Sequence, residues 1–192
     1  MLQISAEHEA AVQELQIAFE DEANAQARYV AFASKANDEG LLGAASLFRA
    51  AARAEHIHAA SHAWVMSQFG QNAHCAIHPF QPKSTLENLK EALAGERLEV
   101  DSLYPDCLKE VAACNILTAT RTFTRALEAE KTHALLFEWA IAHIEDEIGS
   151  SPMAAPRDFF VCPGCGLMAA ELDEDEDCSV CNSLRDRFET VR

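Results

Sequence analysis

Residues 52–60 read ARAEHIHAA and residues 125–133 read RALEAEKTH, and these two stretches decide the fold. Each contains a glutamate followed three residues later by a histidine: Glu55 with His58, and Glu130 with His133. Residues three apart lie on the same face of an α-helix, so the carboxylate and the imidazole of each pair point the same way. Each stretch therefore presents a candidate pair of metal ligands on one helical face.

These pairs lie within apolar stripes of the kind that face the core of a helix bundle. Leu127 and Phe137 stand three and seven residues from Glu130, spacings that keep all three on one face. Similar spacings place Glu22 and Glu96 on the apolar faces of two other predicted helices. We therefore expect each of four helices to direct a carboxylate inward.

The arrangement repeats along the chain. Glu22 precedes Glu55 by 33 residues, and Glu96 precedes Glu130 by 34. Burying one unpaired carboxylate costs on the order of 20 kcal/mol in a simple solvation argument, so a buried group of them calls for a multivalent cation. One glutamate from each of two helices, plus Glu-x-x-His from each of two others, is the ligand set of carboxylate-bridged dimetal bundles. The candidate ligands are Glu22, Glu55, His58, Glu96, Glu130 and His133.

Other polar residues close to these positions are expected to have structural roles. His56 adjoins the first pair but falls off the stripe, and His62 is expected to be a hydrogen-bonded core histidine. Glu20, Asp21 and Glu128 lie on faces that solvent is expected to reach.

Strong helix formers dominate the chain up to about residue 148, which predicts four helices. Ser84 and Glu87 form a predicted capping box, and Pro105 predicts a kink. Two helical hairpins joined by one long crossover, here residues 70–83, are typical of a ferritin-like bundle, while a coiled-coil-like or cytokine-like bundle would give a similar pattern. The predicted helices span about 5–37, 41–69, 84 to beyond 105, and 117–148.

The composition changes after residue 148. Residues 149–156, GSSPMAAP, form a predicted linker. The 36 residues after it, 157–192, are too few to fold on an apolar core alone. We therefore expect a first domain at 1–148, the linker at 149–156 and a second domain at 157–192. Two Cys-x-x-Cys pairs in the last segment can hold one ion tetrahedrally. An all-thiolate site suits zinc as well as a mononuclear iron, and the predicted redox site nearby favours iron. The candidate ligands are Cys162, Cys165, Cys178 and Cys181.

Composition and charge limit the function. The net charge of −16 argues against a nucleic-acid binder. No apolar run is long enough to span a bilayer and the first residues lack a secretory pattern, so a cytoplasmic protein is expected.

The acidic run at 171–177 is either a solvated loop or a docking patch for a basic electron donor. Cys75, Cys107 and Cys114 lie outside the paired cysteines and are expected to pack in the fold.

The order and spacing of these motifs resemble those of the rubrerythrin family over nearly the whole chain. The resemblance implies a mainly α protein: a ferritin-like four-helix bundle with a di-iron site, and a small rubredoxin-like domain with a further iron. Manganese in the bundle and zinc in the cysteine site are the alternatives. The residues that carry the resemblance are Glu22 with Arg28-Tyr29, Glu55-x-x-His58, Glu96-x-x-Glu99 before Leu103-Tyr104-Pro105, Glu130-x-x-His133 and the two Cys-x-x-Cys pairs.

The resemblance also implies a role for each bundle ligand. Glu55 and Glu130 would bridge the two irons, because they match the glutamates of the family's Glu-x-x-His pairs. Glu22 and Glu96 would be terminal ligands, and His133 would bind one iron through its imidazole.

Four further residues match family positions. Glu99 matches a glutamate that binds one iron in the oxidised state, and that iron moves towards the histidine equivalent to His58 on reduction. Tyr29 and Tyr104 match tyrosines that hydrogen-bond ligand carboxylates. Two departures are Asn182-Ser183 after the last cysteine, where rubredoxin-like loops usually carry glycine, and the lack of the usual Gly and Pro between the two cysteine pairs. They shift the balance modestly towards zinc, with iron still preferred in that site.

The function implied by the resemblance is a non-haem di-iron peroxidase that protects against oxidative stress. It would reduce hydrogen peroxide to water with electrons relayed through the cysteine-ligated iron from a rubredoxin or an NAD(P)H-linked separate reductase. The family also implies a homodimer or larger assembly in which the cysteine domain of one subunit approaches the dimetal site of another. The alternatives are a ferroxidase or oxygen reductase, and a non-catalytic iron-binding protein with a zinc-ribbon tail.

Overall fold

The computed structural model describes residues 6–145, 152–173 and 176–192. Within these ranges, five α-helices precede a small three-stranded sheet. The predicted helix ends near residues 5 and 148, and part of the predicted linker, lie outside the described residues. The elements are α1 (Ala6–Asp38), α2 (Leu42–Ser67), α3 (Thr85–Leu98), α4 (Tyr104–Ala112), α5 (Leu117–Glu145), β1 (Phe159–Val161), β2 (Met168–Ala169) and β3 (Glu189–Val191).

A π-helical turn, Glu99–Leu103, joins α3 to α4, so that the two form the irregular third helix of a four-helix bundle. Pro105 stands in the first turn of α4 and has no N–H to give to the helix before it. The backbone adjusts one turn earlier, where the N–H of Tyr104 bonds to the carbonyl of Glu99. The irregularity predicted at the proline therefore takes the form of a π turn.

Side chains anchor the crossover between α2 and α3. Asn24 of α1 accepts a hydrogen bond from the His78 N–H (2.8 Å) and donates one to the Ala76 carbonyl (3.3 Å). The predicted capping box is present, because the Ser84 hydroxyl accepts from the Glu87 N–H while the Glu87 carboxylate accepts from the Ser84 N–H. The crossover is thus tied at its middle and at its end.

Two apolar clusters fill the bundle, one towards each end. Along α2, Phe48 belongs to one cluster and Val65 to the other; along α5, Phe137 and Phe123 are divided in the same way. Each large side chain buried here stabilises the fold by about 1.5–3 kcal/mol. The candidate ligands fall between the two clusters along each helix, so they form a polar layer with an apolar cluster on either side.

The small sheet, in the order β2-β1-β3 with antiparallel pairs, packs on the bundle of the same chain. Phe159, Val161 and Met168 join the apolar cluster that contains Phe48. Arg53 of α2 donates two hydrogen bonds to the Glu189 carboxylate of β3, at 2.7 and 2.8 Å. The cysteine-bearing segment is therefore docked on α2, while the exact domain boundaries stay a prediction.

No helix among the described residues is long and apolar enough to cross a membrane.

Candidate metal centres

The six predicted bundle ligands meet in the polar layer between the apolar clusters. All six are between 0% and 2% exposed. Their ligand atoms form two overlapping groups, and within each group the atoms lie within 4.8 Å of one another. Glu55 and Glu130 belong to both groups, which suits carboxylates shared by two adjacent ions. The groups are Glu22, Glu55, His58 and Glu130, and Glu55, Glu96, Glu130 and His133.

Glu130 stands between the two imidazoles. Its Oε1 is 2.7 Å from His58 Nδ1, and its Oε2 is 2.6 Å from His133 Nδ1. The two rings stack, with centroids 5.7 Å apart and an interplanar angle of 17°. One carboxylate thus faces both halves of the site, as a bridging ligand must.

Several donor atoms in this layer lack the partners that burial normally demands. Both carboxylate oxygens of Glu55, Oε2 of Glu22 and Oε2 of Glu96 are buried without a hydrogen bond of acceptable geometry. Buried polar atoms of native proteins are nearly always satisfied, and each unsatisfied one costs about 1–3 kcal/mol, more when charged. Two cations in the layer would satisfy these oxygens, so the residues present fit a pair of metal ions.

Without metal, the layer holds protons in place of cations. Burial raises the pKa of Glu55 well above its usual range, and the neighbouring carboxylates of Glu130 and Glu22 raise it further. Burial together with Glu130 raises the pKa of Glu96 to about 8. Burial disfavours the charged form of His133, but the Glu130 carboxylate outweighs it and raises the pKa of His133 to about 10. Metal binding therefore has to displace protons.

Glu99 lies beside the two ligand groups rather than within them. It is 4% exposed and begins the π turn, one helical turn beyond Glu96. Single π turns inside α-helices are frequent at functional sites. Burial and then the negative charge of Glu130 raise the pKa of Glu99 well above its usual range. Its carboxyl group therefore holds a proton more strongly than an ordinary glutamate does.

Asp21 is the residue near the site that the sequence pattern misplaced. It was expected on a solvated face, but it is half-buried and shares a hydrogen bond with Glu99. Burial raises the pKa of Asp21, while the Glu99 bond opposes that shift. A helical wheel could not show this contact, because Asp21 lies off the apolar stripe and its partner comes from the π turn.

Two buried tyrosines hold ligand carboxylates, as the resemblance implied. Tyr29 Oη donates to Glu96 Oε1 at 2.6 Å, and Tyr104 Oη donates to Glu22 Oε1. Burial, then the neighbouring carboxylate, raises the pKa of each tyrosine well above its usual value. Both hydroxyls therefore stay protonated and act as donors.

The other residues near the bundle site behave largely as expected. His62 is fully buried and hydrogen-bonded on both ring nitrogens. His56 is exposed, and Glu128 is partly exposed, with its side chain paired to Lys131. Cys107 is fully buried in an apolar cluster, and Cys75 accepts a hydrogen bond from the Asn24 amide at 3.3 Å.

The four paired cysteines form a second compact cluster, with their sulfur atoms within 4.8 Å of one another. The distances Cys162 Sγ–Cys181 Sγ and Cys165 Sγ–Cys178 Sγ are both 3.5 Å. A tetrahedral ion with metal–sulfur bonds of about 2.3 Å has sulfur–sulfur edges of about 3.8 Å. Hydrogen bonding, chiefly from the Cys165 thiol, lowers the pKa of Cys162 to about 5. The cluster fits one four-coordinate ion.

Both cysteine loops close in the same way. The N–H of Gly166 bonds to the Cys162 carbonyl (2.9 Å), and the N–H of Asn182 bonds to the Cys178 carbonyl (2.8 Å). Gly166 has φ +78° and Asn182 has φ +58°. Asparagine is one of the few residues besides glycine that adopt this left-handed conformation readily. Asn182 therefore closes its loop as a glycine would, and the departure in sequence leaves the loop geometry intact.

The cysteine loop contacts both imidazoles of the bundle site. His58 Nε2 is 2.9 Å from the Cys165 carbonyl oxygen, and His133 Nε2 is 3.0 Å from that of Gly166. Carbonyls only accept hydrogen bonds, so each Nε2 carries a proton, and Nδ1 is the ring nitrogen that can bind a metal once its own proton is displaced. We expected this approach between subunits, and the structure makes it within one chain.

Known proteins agree with this architecture. The sequence profile of the rubrerythrin family matches residues 14–141, well over half of the chain. The chain belongs to the rubrerythrin family. It is 34% identical to Rubrerythrin-2 of Clostridium acetobutylicum over 145 residues, which are 74% of this chain and 76% of that protein.

Solved structures extend the likeness to nearly the whole chain. Fully reduced, all-ferrous nigerythrin superposes with a TM-score of 0.82 at 27% identity, over 98% of this chain and 88% of nigerythrin. The bacterioferritin of Rhodobacter capsulatus gives 0.62 at 21% identity over 70% of this chain and 85% of its own, which shows a shared bundle fold. The predicted fold class is confirmed: a ferritin-like bundle with a C-terminal four-cysteine cluster, in a di-iron protein related to nigerythrin.

Proposed function

We propose that this protein is a peroxidase that reduces hydrogen peroxide to water at the bundle site, using electrons that pass through the cysteine-bound iron. The contact of one cysteine loop with both ligand histidines carries this proposal. Through this contact, one hydrogen bond connects each half of the bundle site to the backbone of the cysteine loop. His58 bonds to the Cys165 carbonyl, and His133 bonds to the Gly166 carbonyl. Storage of iron alone needs no such connection.

Each half of the bundle site would hold one iron, and Glu55 and Glu130 would bind both irons. Glu99 would bind one of the irons in the oxidised state. When bound, a pair of ferrous ions supplies two electrons and stabilises negative charge on the peroxide oxygens. The four cysteines would hold the third iron. Manganese in the bundle and zinc among the cysteines remain alternatives that metal analysis decides.

The chain's own residues prepare the site for this reduction. Tyr29 and Tyr104 fix the Glu96 and Glu22 carboxylates, so these ligands need no reorganisation. The candidate ligands of the layer are buried, and His58 also forms part of the wall of a surface cavity. Peroxide reduction also consumes protons, and Glu99 can hold one at its buried carboxyl group.

The Glu99→Ala variant tests the last role. We expect its peroxide turnover to fall on the order of 100-fold, because a positioned acid contributes at least that much to proton transfer. The red absorbance of the cysteine-bound iron should be unchanged. Asp101→Ala provides the control, since Asp101 lies in the same π turn but is exposed. Wild-type turnover in Glu99→Ala would remove Glu99 from the mechanism.

The Gly166→Ala variant tests the contact between the two centres. A Cβ at Gly166 would overlap His58 Nε2, whereas a Cβ at Gly70 would meet nothing within 4 Å. Both glycines have positive φ, +78° and +70°, so the backbone strain of alanine is matched. We expect Gly166→Ala to slow electron transfer from the cysteine iron at least about tenfold, measured by stopped flow, and Gly70→Ala to leave it unchanged. Equal rates in the two variants would show that the contact does not carry electrons.

The ligand set alone does not choose the oxidant, so initial rates decide between peroxidase and oxygen reductase or ferroxidase. We expect the reduced protein to react with peroxide much faster than with dissolved oxygen. Faster reaction with oxygen would favour the oxygen reductase.

We further propose a rubredoxin or an NAD(P)H-linked reductase as electron donor, a homodimer or larger assembly, and a cytoplasmic location.

A further inference from the structure

One surface cavity borders both candidate metal centres. It has a volume of about 600 Å³ and lies between α2, α5 and the cysteine loop, which contributes Pro163, Gly164 and Cys165 to its wall. His58 of the bundle site lines it as well. Cavities that bind small molecules in proteins have volumes of about 300–1,000 Å³. The cavity is therefore large enough for a small ligand, which would lie close to a candidate ligand of each centre.

The charge of this cavity is opposite to that of the chain. The chain has 31 Asp and Glu against 15 Lys and Arg, yet no carboxylate among the described residues lines the cavity, whereas three arginines do. Arg53 is already paired with Glu189, at 2.7 and 2.8 Å. Arg121 and Arg125 stand one turn apart on α5, so they lie on the same face of that helix. The cavity is thus a site for an anion in an otherwise acidic protein.

The donors in this cavity favour a phosphate group among the common anions. The planar guanidinium of arginine donates two parallel N–H bonds to phosphate oxygens. The hydroxyls of Ser61 and Thr118 line the same cavity and can donate to further oxygens. A phosphate group carries close to two negative charges at neutral pH, which the two cations Arg121 and Arg125 match.

An aromatic ring in the same cavity favours a ligand that also has a planar ring. Trp64 lines the cavity, and it is 58% exposed. Its indole face is a stacking surface for a planar ring. Ile57 and Val65 add apolar surface to the wall. A phosphate group together with a planar ring describes a mononucleotide.

We propose that the cavity binds flavin mononucleotide, with its phosphate on Arg121 and Arg125 and its ring against Trp64, and that the reduced flavin is a direct electron donor to the cysteine site besides any protein donor. The donor role rests on the proposed function. Cys165 lies in the cavity wall. A flavin can give electrons one at a time, as a single iron requires, whereas a nicotinamide gives a hydride.

The electrons and protons of this donation balance. One reduced flavin loses two electrons and two protons and becomes oxidised flavin. Its electrons reduce the ferric cysteine-bound iron twice in succession, once before and once after that iron has passed an electron to the bundle site. The protons go to the water of the cavity.

Binding is tested by titrating flavin mononucleotide, and separately riboflavin, with the oxidised iron-loaded protein. Riboflavin has the same ring but no phosphate, and stacking on tryptophan quenches the fluorescence of both flavins. We expect a Kd below about 100 μM for flavin mononucleotide, at least about tenfold weaker binding of riboflavin, and a loss of this difference at high salt. Weaker binding of flavin mononucleotide than this, or equal binding of the two flavins, would overturn the site.

Variants of the cavity residues separate the phosphate contact from the ring contact. Arg121→Gln and Arg125→Gln should each weaken binding of flavin mononucleotide at least about tenfold, because each loses a charge-assisted hydrogen bond. Arg97→Gln is the control, since Arg97 lies on α3 and pairs with Glu138. Trp64→Leu should weaken binding of both flavins, while Trp64→Phe should retain it. Wild-type affinity in both arginine variants, or in Trp64→Leu, would overturn the assignment.

The donor role is tested by mixing reduced flavins with the ferric protein without oxygen and following the loss of its red absorbance by stopped flow. We expect the rate to saturate with reduced flavin mononucleotide and to rise linearly with reduced riboflavin. Linear dependence on both flavins would overturn the donor role. Neither this measurement nor the titration uses peroxide, so a protein that passes both tests but reduces no peroxide would overturn only the proposed function.

Discussion

The Glu55→Gln protein is expected to fold as the wild type does but to lose the bundle metals, and with them at least roughly 100-fold of its peroxide turnover. Glu55 belongs to both ligand groups, and neither of its carboxylate oxygens makes an acceptable hydrogen bond. Burial and neighbouring carboxylates raise its pKa, so the metal-free fold favours its neutral form. A neutral amide of the same shape therefore costs the metal-free fold little, while it cannot bridge two cations.

Three measurements check this expectation: iron content after reconstitution, peroxide turnover, and the melting temperature of the metal-free protein. Glu128→Gln is the matched control, because Glu128 lies on α5 with an exposed side chain that pairs with Lys131. It should retain full iron content and turnover. Full iron content in Glu55→Gln would contradict the assignment of Glu55 as a shared ligand.

Metal removal is expected to make the stability of the protein fall as pH rises. In the metal-free fold the pKa of Glu96 is raised from 4.5 to about 8, so its contribution is lost between these values as pH increases. The pKa of His133 is raised from 6.5 to about 10, and its contribution is lost between those values. Glu130 has a lowered pKa and acts in the opposite sense, but only as pH falls below about 4.5.

The size of this effect follows from the same shifts. One pKa unit corresponds to about 1.4 kcal/mol, and 1 kcal/mol moves the melting temperature of a chain of this length by roughly 2–4 °C. We expect the metal-free protein to melt at least about 10 °C lower at pH 9 than at pH 6. The iron-loaded protein should not show this loss, because its ligands bind the metal in their deprotonated forms. Calorimetry at a series of pH values measures both, and a flat profile for the metal-free protein would contradict the buried, proton-holding layer.

The candidate ligand positions could be read from the sequence because they depend on local helical geometry. A glutamate and a histidine three residues apart share a face in any α-helix, so Glu55 with His58 and Glu130 with His133 needed no tertiary information. The two Cys-x-x-Cys pairs are local in the same sense. The four-helix organisation followed from the repeat of these pairs and from a single long crossover. The comparisons confirm that fold, while the metal-binding role of each residue stays a prediction.

What the sequence could not provide were contacts between distant elements. The hydrogen bond between Asp21 and Glu99 depends on the π turn, whose form cannot be read from Pro105 alone. His62 was expected to be a satisfied core histidine, and it is, but its partners Tyr104 and Thr122 come from other helices. A pattern of spacings predicts which face a residue occupies and not what faces it.

The position of the cysteine loop also could not be predicted from the sequence. Nothing in the motif around Gly166 indicates that it approaches His58 and His133 of the same chain. Family resemblance suggested that another subunit makes this approach. In the structure the loop reaches the bundle site of its own chain. The sheet docks on α2 through Phe159, Val161 and the Arg53–Glu189 pair.

The central claim is that the two metal centres are coupled and that peroxide is the oxidant. It is tested most directly by reducing the iron-loaded protein fully without oxygen, adding one equivalent of hydrogen peroxide, and following the red absorbance of ferric, thiolate-bound iron. We predict rapid return of the colour, much faster than with dissolved oxygen. No colour in either redox state would mean that the cysteine site holds zinc or no iron, and would contradict the account.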